Sequence, residues 1–316
     1  MRVNTTKFCS VGSTTPGCGE GGAGARTDGR QSLIRRYSGS ARTFGFIVML
    51  ALAAASLAGA PQAELWPRWE EHDPSSTETV NHAQWARFLD RYLETSTRSG
   101  VNLVRYSDVS TSDRAELQRY IAMLEDVMVS DLNRDEQMAY WLNLYNAVTV
   151  ELILEHYPVD SIRDINISGS LFNRHPWDAE LVEVEGEALT LNDIEHRIIR
   201  PIWEDPRIHY VVNCASIGCP NLQPTPFTGD TYDAVFDEAA REYLTHPRGV
   251  RFEGDTLYLS SIFDWYSEDW DDSKQVIVDH IIEYAEGSTA ARLQTFADEG
   301  YDGRVRYEYD WALNEP

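Results

Sequence analysis

The sequence predicts one mainly helical α+β domain with a small, largely antiparallel sheet. Three observations carry that expectation. Apolar residues recur at helical spacing through most of the segment 81–157. Two short alternating stretches, each broken by a glycine turn, read as hairpins near 181–189 and 250–259. Helical spacing then resumes to residue 298, with no internal repeat and no low-complexity linker.

The elements follow in order. Asn81 to Thr97 carries Trp85, Phe88, Leu89, Tyr92 and Leu93 on one helical face. Val101 to Tyr106 is a short extended piece. Asp113 and Glu116 open a second helix, with Leu117, Tyr120, Ile121, Leu124 and Val127 inward. Asn133-x-x-Glu136 reads as a capping box for a third helix, which must stop before Pro158. A second such box, Asn192-x-x-Glu195, opens a helix with Ile194, Ile198, Ile199 and Ile202 inward. On this pattern Glu195 is first of all a cap, and His196 faces solvent or caps a neighbour. Ile208 to Asn213 reads as a strand, bounded upstream by Asp205-Pro206. Cys214 to Asp230 is a long Pro/Gly loop, a length that is often functional. Tyr232 to Leu244 is helical. So are Ser261 to Trp270, Lys274 to Glu286 and Thr289 to Asp298, with Gly287 and Gly300 as stops. Val305 to Trp311 reads as a last strand.

The N-terminal part has a different character. Phe44 to Ala60 is an uncharged run preceded by Arg35, Arg36 and Arg42 and followed by small residues up to Ala63. A basic, apolar, small-residue series is the pattern of a secretory signal, so residues 1–63 are expected to be an N-terminal extension with signal peptide and 64–316 the mature domain. The run is at the short limit for a bilayer span, so an uncleaved anchor is the rival reading and the only route to a membrane. A start codon nearer Leu33 is an alternative for the long preamble. The expected location is exported, in the periplasm or extracellular space.

The chain has 27 Lys+Arg against 51 Asp+Glu, a formal net charge of −24. Losing residues 1–63 removes seven bases and two acids, so the remainder stands at −29, with Lys274 as its one lysine. Nucleic acid is excluded as a general partner, because phosphate neutralisation needs clustered Lys/Arg. The acidic stretches lack calcium-loop spacing and read as solvated surface.

Only Cys214 and Cys219 fall beyond residue 63. Three readings stay open for them. An exported pair with four residues between its members can close as a structural disulfide. A cysteine at the lip of a Gly/Pro loop can instead be a thiol nucleophile, with His209 as base and Glu195 orienting it. In a regular strand 209 and 214 face opposite ways, so that pairing needs a bend near Asn213. Zinc on His209, Cys214, Cys219 and either His175 or His196 is the third reading, although neither cysteine has the usual C-x2-C partner. No metal and no cofactor is expected. Asn143 and Asn146, three apart in an aromatic helix, point to a polar network holding adjacent loop backbone or reaching a cleft.

Four motifs occur in order: Tyr140 to Ala147, Leu189 to His196, Arg207 to Pro220 and Leu259 to Tyr266. Together they resemble the DUF547 family, a domain of unknown function found in bacterial exported proteins and in multidomain plant and animal proteins. The resemblance covers about residues 81–270. It implies that Asn143, Asn146, Glu195, His209, Asn213, Cys214, Cys219 and Trp265 stand at the family's characteristic positions, and it implies no established activity. The expected function is a thiol-dependent hydrolase or acyltransferase using Cys214 and His209, acting on a peptide or small molecule. The alternative is a non-enzymatic binding module whose Cys214–Cys219 disulfide is structural.

Overall fold

The structure, a computed structural model, describes residues 61–167 and 175–316. The expected signal segment lies outside the described residues up to position 60. Helix α1 (Ala83–Tyr92) lays down an aromatic stack, with Trp85 against Phe88 at 5.4 Å and Phe88 against Tyr92 at 5.1 Å. It ends at Leu93, where β1 (Leu93–Glu94) pairs antiparallel with β2 (Leu103–Val104). Helix α2 (Thr111–Glu125) starts two residues before the expected Asp113, because Ser110 caps it by accepting from the Asp113 amide at 3.1 Å.

Helix α3 (Arg134–His156) is the centre of the fold and is buried around nearly its whole circumference. A helix apolar on all sides belongs in a core, not on a surface. Asn133 caps it at 2.9 Å from the Glu136 amide, as expected. Glu136 does not complete the box. Its carboxylate instead accepts the amides of Val80 at 2.7 Å and Gly229 at 3.2 Å, tying two distant loops to the helix start.

The hairpin β3 (Val182–Val184) and β4 (Glu187–Leu189) turns at Glu185 and Gly186, both at positive φ. The expected Asn192 capping box does not form. Asn192 is itself helical and caps nothing; the cap is Thr190, whose hydroxyl accepts from the Asp193 amide at 2.9 Å while Asp193 accepts back from the Thr190 amide at 3.0 Å. Residues Asp193–Ile199 then form a π-helical turn that runs into α4 (Arg200–Trp203), the Arg200 amide bonding the Glu195 carbonyl. Such turns are rare and concentrate at functional sites.

The expected strand 208–213 is also corrected. Pro206–Tyr210 is a 3-10 helix started by the Asp205 side chain, which accepts from the Arg207 amide at 2.9 Å. Helix α5 (Tyr232–Thr245) follows the Cys loop. Strands β5 (Val250–Glu253) and β6 (Thr256–Ser260) form the second hairpin, and β7 (Arg304–Glu308) adds to β6 in parallel. Among the described residues the β structure is thus three small sheets, mostly antiparallel. Helices α6 (Ile262–Trp265), α7 (Lys274–Tyr284) and α8 (Gly287–Asp298) close the domain. Gly300 stops α8 in a Schellman turn, its amide on Ala297 and that of Tyr301 on Phe296. Gly287 instead begins α8. The α+β, mainly helical class is as expected. No helix among the described residues is long and apolar enough to cross a membrane.

Candidate functional site

The Cys loop is held from two sides. From the core, Asn146 Oδ1 accepts the Asn213 amide at 2.8 Å and its Nδ2 donates to the Val211 carbonyl at 3.0 Å. Asn143 clamps Phe227 in the same way, accepting its amide at 3.1 Å and donating to its carbonyl at 2.9 Å. Asn213 spends its side chain on Ala215 and Pro220. All three asparagines are buried and serve as loop supports, and Asn143 also donates to the Ala139 carbonyl at 2.8 Å. From the other side comes the C-terminal segment. Gly218 donates to Asp310 and Ile217 to Ala312, both at 2.8 Å, and Asn314 donates to Ala215 at 3.2 Å. Ala215, next to Cys214, is held at φ 57° between these two sets of bonds.

This docking brings Tyr309 onto the thiol. Tyr309 Oη lies 2.9 Å and Ser216 Oγ 3.2 Å from Cys214 Sγ, and the two oxygens are 2.9 Å apart. Cys219 is not joined to Cys214 by a disulfide; both are free thiols, Cys219 buried and Cys214 partly exposed. The Cys214 amide donates to Cys219 Sγ at 3.1 Å. Hydrogen bonds from Cys219, Ser216 and Tyr309 pull the Cys214 thiol below its usual range, against the opposing effect of burial. Burial pushes Cys219 and the Tyr309 phenol far up, so both stay protonated; Tyr309 faces Cys214 Sγ, while Cys219 Sγ donates to the Val212 carbonyl at 3.6 Å.

His209 does not touch Cys214 through a hydrogen bond. The 3-10 turn removes the strand parity that would have separated them, yet it aims the ring elsewhere. His209 stacks on Tyr266 at 4.3 Å, and its Nε2 sits 2.6 Å from Asp269 Oδ2. The carboxylate on His209 is therefore Asp269 rather than Glu195, whose Oε1 is 4.0 Å from His209 Nδ1. Burial alone would raise the Asp269 carboxyl, but His209 and Arg200 hold it well below the usual carboxylate range. Arg200 forks onto Asp269 at 2.8 and 2.9 Å and reaches Glu268 at 2.6 Å. It also donates to His196 Nδ1 at 3.0 Å, so that nitrogen carries no proton. His196 is buried, not solvent-facing, and burial pushes it down to about 4. Glu195 is no helix cap either; its Oε2 accepts from Tyr145 Oη at 2.9 Å.

These side chains line one cleft of about 470 Å³. Cys214, Cys219, His209, Glu195 and Trp265 all face it, while the three asparagines are not among its lining. Its far wall is aromatic. Trp265 stacks on Trp311 at 5.4 Å, Tyr309 meets Trp311 at 4.7 Å, and Trp177 meets Trp311 edge-on at 5.8 Å. Among the described residues no group of three or more His, Cys, Asp or Glu has the arrangement of a metal site. Sequence reasoning missed Asp269, Arg200, Ser216, Tyr309 and Trp311. For Tyr309 and Trp311 a signal existed, since aromatics at every second position mark one face of a strand end.

A Cβ on Gly218 would lie 2.7 Å from the Asp310 nitrogen and 2.9 Å from its oxygen, a clash with backbone. Gly218→Ala is therefore expected to push the C-terminal segment off the loop and carry Tyr309 away from Cys214. Alkylation of Cys214 near neutral pH should slow about tenfold, the effect of one thiol pKa unit. An unchanged rate would show that Tyr309 does not help ionise the thiol.

Residues 129–244 match the family model described as "Protein of unknown function, DUF547". The match spans α3, the π-helical turn, His209 and both cysteines, and it ends before Trp265, Asp269 and the C-terminal aromatics. No curated protein and no solved structure shows significant similarity to the chain. Over residues 129–244, then, the chain is similar to the DUF547 family, as the four motifs led us to expect.

Proposed function

We propose that this domain is a thiol-dependent hydrolase or acyltransferase with Cys214 as nucleophile. The observation that carries the reading is the convergence of the Tyr309 and Ser216 hydroxyls on one partly exposed sulfur at the wall of a cleft. These two hydroxyls stabilise a thiolate without an adjoining imidazole, and the thiolate is the reactive form. In the first half-reaction Cys214 S⁻ adds to a substrate carbonyl carbon. The bond to the leaving amine, alcohol or thiol breaks, and His209 delivers a proton to that group. Asp269 occupies Nε2, so Nδ1 is the nitrogen free for this transfer. In the second half, water or an acceptor gives its proton back to His209 and attacks the thioester, and the C–S bond breaks to restore the thiolate. The basic, apolar and small-residue series before residue 64 supports an exported setting, in the periplasm or outside the cell. A non-enzymatic binding module remains the second reading, supported by the aromatic wall.

The test is iodoacetamide labelling across pH without reductant, followed by mass mapping after exposure to a short-chain acyl thioester. One cysteine should react fast with a midpoint below the ordinary thiol value of about 8.5. The label and a stable acyl adduct should both map to Cys214 and vanish in Cys214→Ser. Slow labelling, or reaction at Cys219 instead, sinks the enzyme reading and leaves the binding module.

A further inference from the structure

The cleft wall leads from the thiol to one unspent cation. Tyr309, on Cys214, packs against Trp311, and the Arg163 guanidinium lies over the other ring system of that wall, 5.1 Å from the Trp311 centroid. Arg163 follows a turn locked by its neighbours. Ser161 caps the 3-10 helix Ile162–Asp164, Ile162 and Ile165 are buried, and Asp160 accepts the Leu313 amide at 2.9 Å. The stacked ring therefore keeps the guanidinium at the cleft. Arg200, the other arginine of this region, spends itself on Asp269 and Glu268. Arg163 has no carboxylate partner among the described residues, in a chain with 51 acidic side chains against 27 basic ones. The cleft's own carboxylates are hydrogen-bonded to neighbouring wall residues, Asp178 to Asn192 and Glu195 to Tyr145.

From this juxtaposition we infer that the cleft takes a substrate with an aromatic or apolar body ending in a single carboxylate. The body lies on Trp177, Trp265 and Trp311, and the carboxylate pairs with Arg163, whose planar fork suits it. The reactive carbonyl then reaches Cys214 beside Tyr309. A polyanion is disfavoured by the net charge of −24, whereas one carboxylate is neutralised locally. The inference rests on the cleft being a substrate site, and it needs no thiol chemistry to be tested.

Unreactive probes separate the two questions. Calorimetry on the full chain would compare 4-phenylbutyrate with 4-phenylbutanamide, and N-acetylphenylalanine with its amide. In at least one pair the acid should bind about tenfold more tightly than the amide, a gap that narrows with salt. Preference confined to the second pair points to a peptide C-terminus, and confined to the first to an acyl chain. Arg163→Gln should equalise acid and amide, and Trp311→Ala should weaken both. Equal binding of acid and amide in both pairs, no binding at all, or a preference that survives Arg163→Gln overturns the inference, whatever the labelling of Cys214 shows.

Discussion

Lowering the pH from 7 to 5 is expected to remove a large part of the domain's stability through buried histidines, ahead of most carboxylate titration. His82 and His196 are buried in the folded chain, and burial pushes each down to about 4. An unfolded histidine titrates near 6.5. Between these values the unfolded state takes up a proton that the folded state refuses, so stability falls with pH and the loss is complete below about 4. Two such groups give a loss of about 4 kcal/mol by pH 5, against a typical total of about 5–15 kcal/mol. His280 has the same direction but is only partly covered, so it adds less. Asp269 acts in a different window. Its folded pKa is depressed, so the stability it supplies is present above the unfolded value near 3.9 and is lost below it. Urea midpoints measured at half-unit steps should therefore fall steadily from pH 6.5. In His82→Gln, which keeps a polar partner for Tyr120 Oη, the slope should drop by about half. A midpoint constant down to pH 5 would mean that these imidazoles are protonated in the fold.

What the sequence discloses here depends on whether a signal is local. Helices α1 to α3 and both hairpins are legible because apolar spacing and turn residues sit within each element. Five of the motif residues, Glu195, His209, Cys214, Cys219 and Trp265, face one cleft. The failures are of another kind. Ile208 to Asn213 is β-branched and aromatic, so propensity reads strand. The Asp205 cap and Pro206 start a 3-10 turn instead, and Ile208, His209, Tyr210 and Val211 are all buried, so no face alternates. Asn192 and Glu195 match a capping box in letters, yet the box two residues earlier wins and turns Glu195 into the cleft. Asp269 sits in an acidic run that reads as solvated surface. Only the distant Arg200 and His209 give it a buried role. Tyr309 belongs to the thiol through backbone pairing of 310–314 with the Cys loop, a contact across about a hundred residues that no local pattern encodes.

Arg200→Met is expected to cost about 3–5 kcal/mol, the usual price of leaving a buried charge network without its cation. The side chain is 1% exposed and holds Asp269, Glu268, the Pro61 carbonyl and His196 Nδ1 at once. Its removal strands Asp269, which is 19% exposed and packed on His209. Arg200→Lys keeps the charge but not the two parallel bonds to Asp269, so it should lie between wild type and Met. Glu268 is 30% exposed, and Glu268→Gln should cost no more than about 1 kcal/mol. Urea denaturation at pH 7 orders the three variants. Labelling of Cys214 supplies the second readout. His209 makes no hydrogen bond to the sulfur, so in the folded Lys variant the alkylation rate should stay within about twofold while thioester turnover falls. A Met variant within about 1 kcal/mol of wild type would show that Asp269 is solvated enough to stand alone. A Lys variant that loses alkylation along with turnover would place His209 in the ionisation of the thiol, and the hydrogen-bonded thiolate would no longer explain its reactivity.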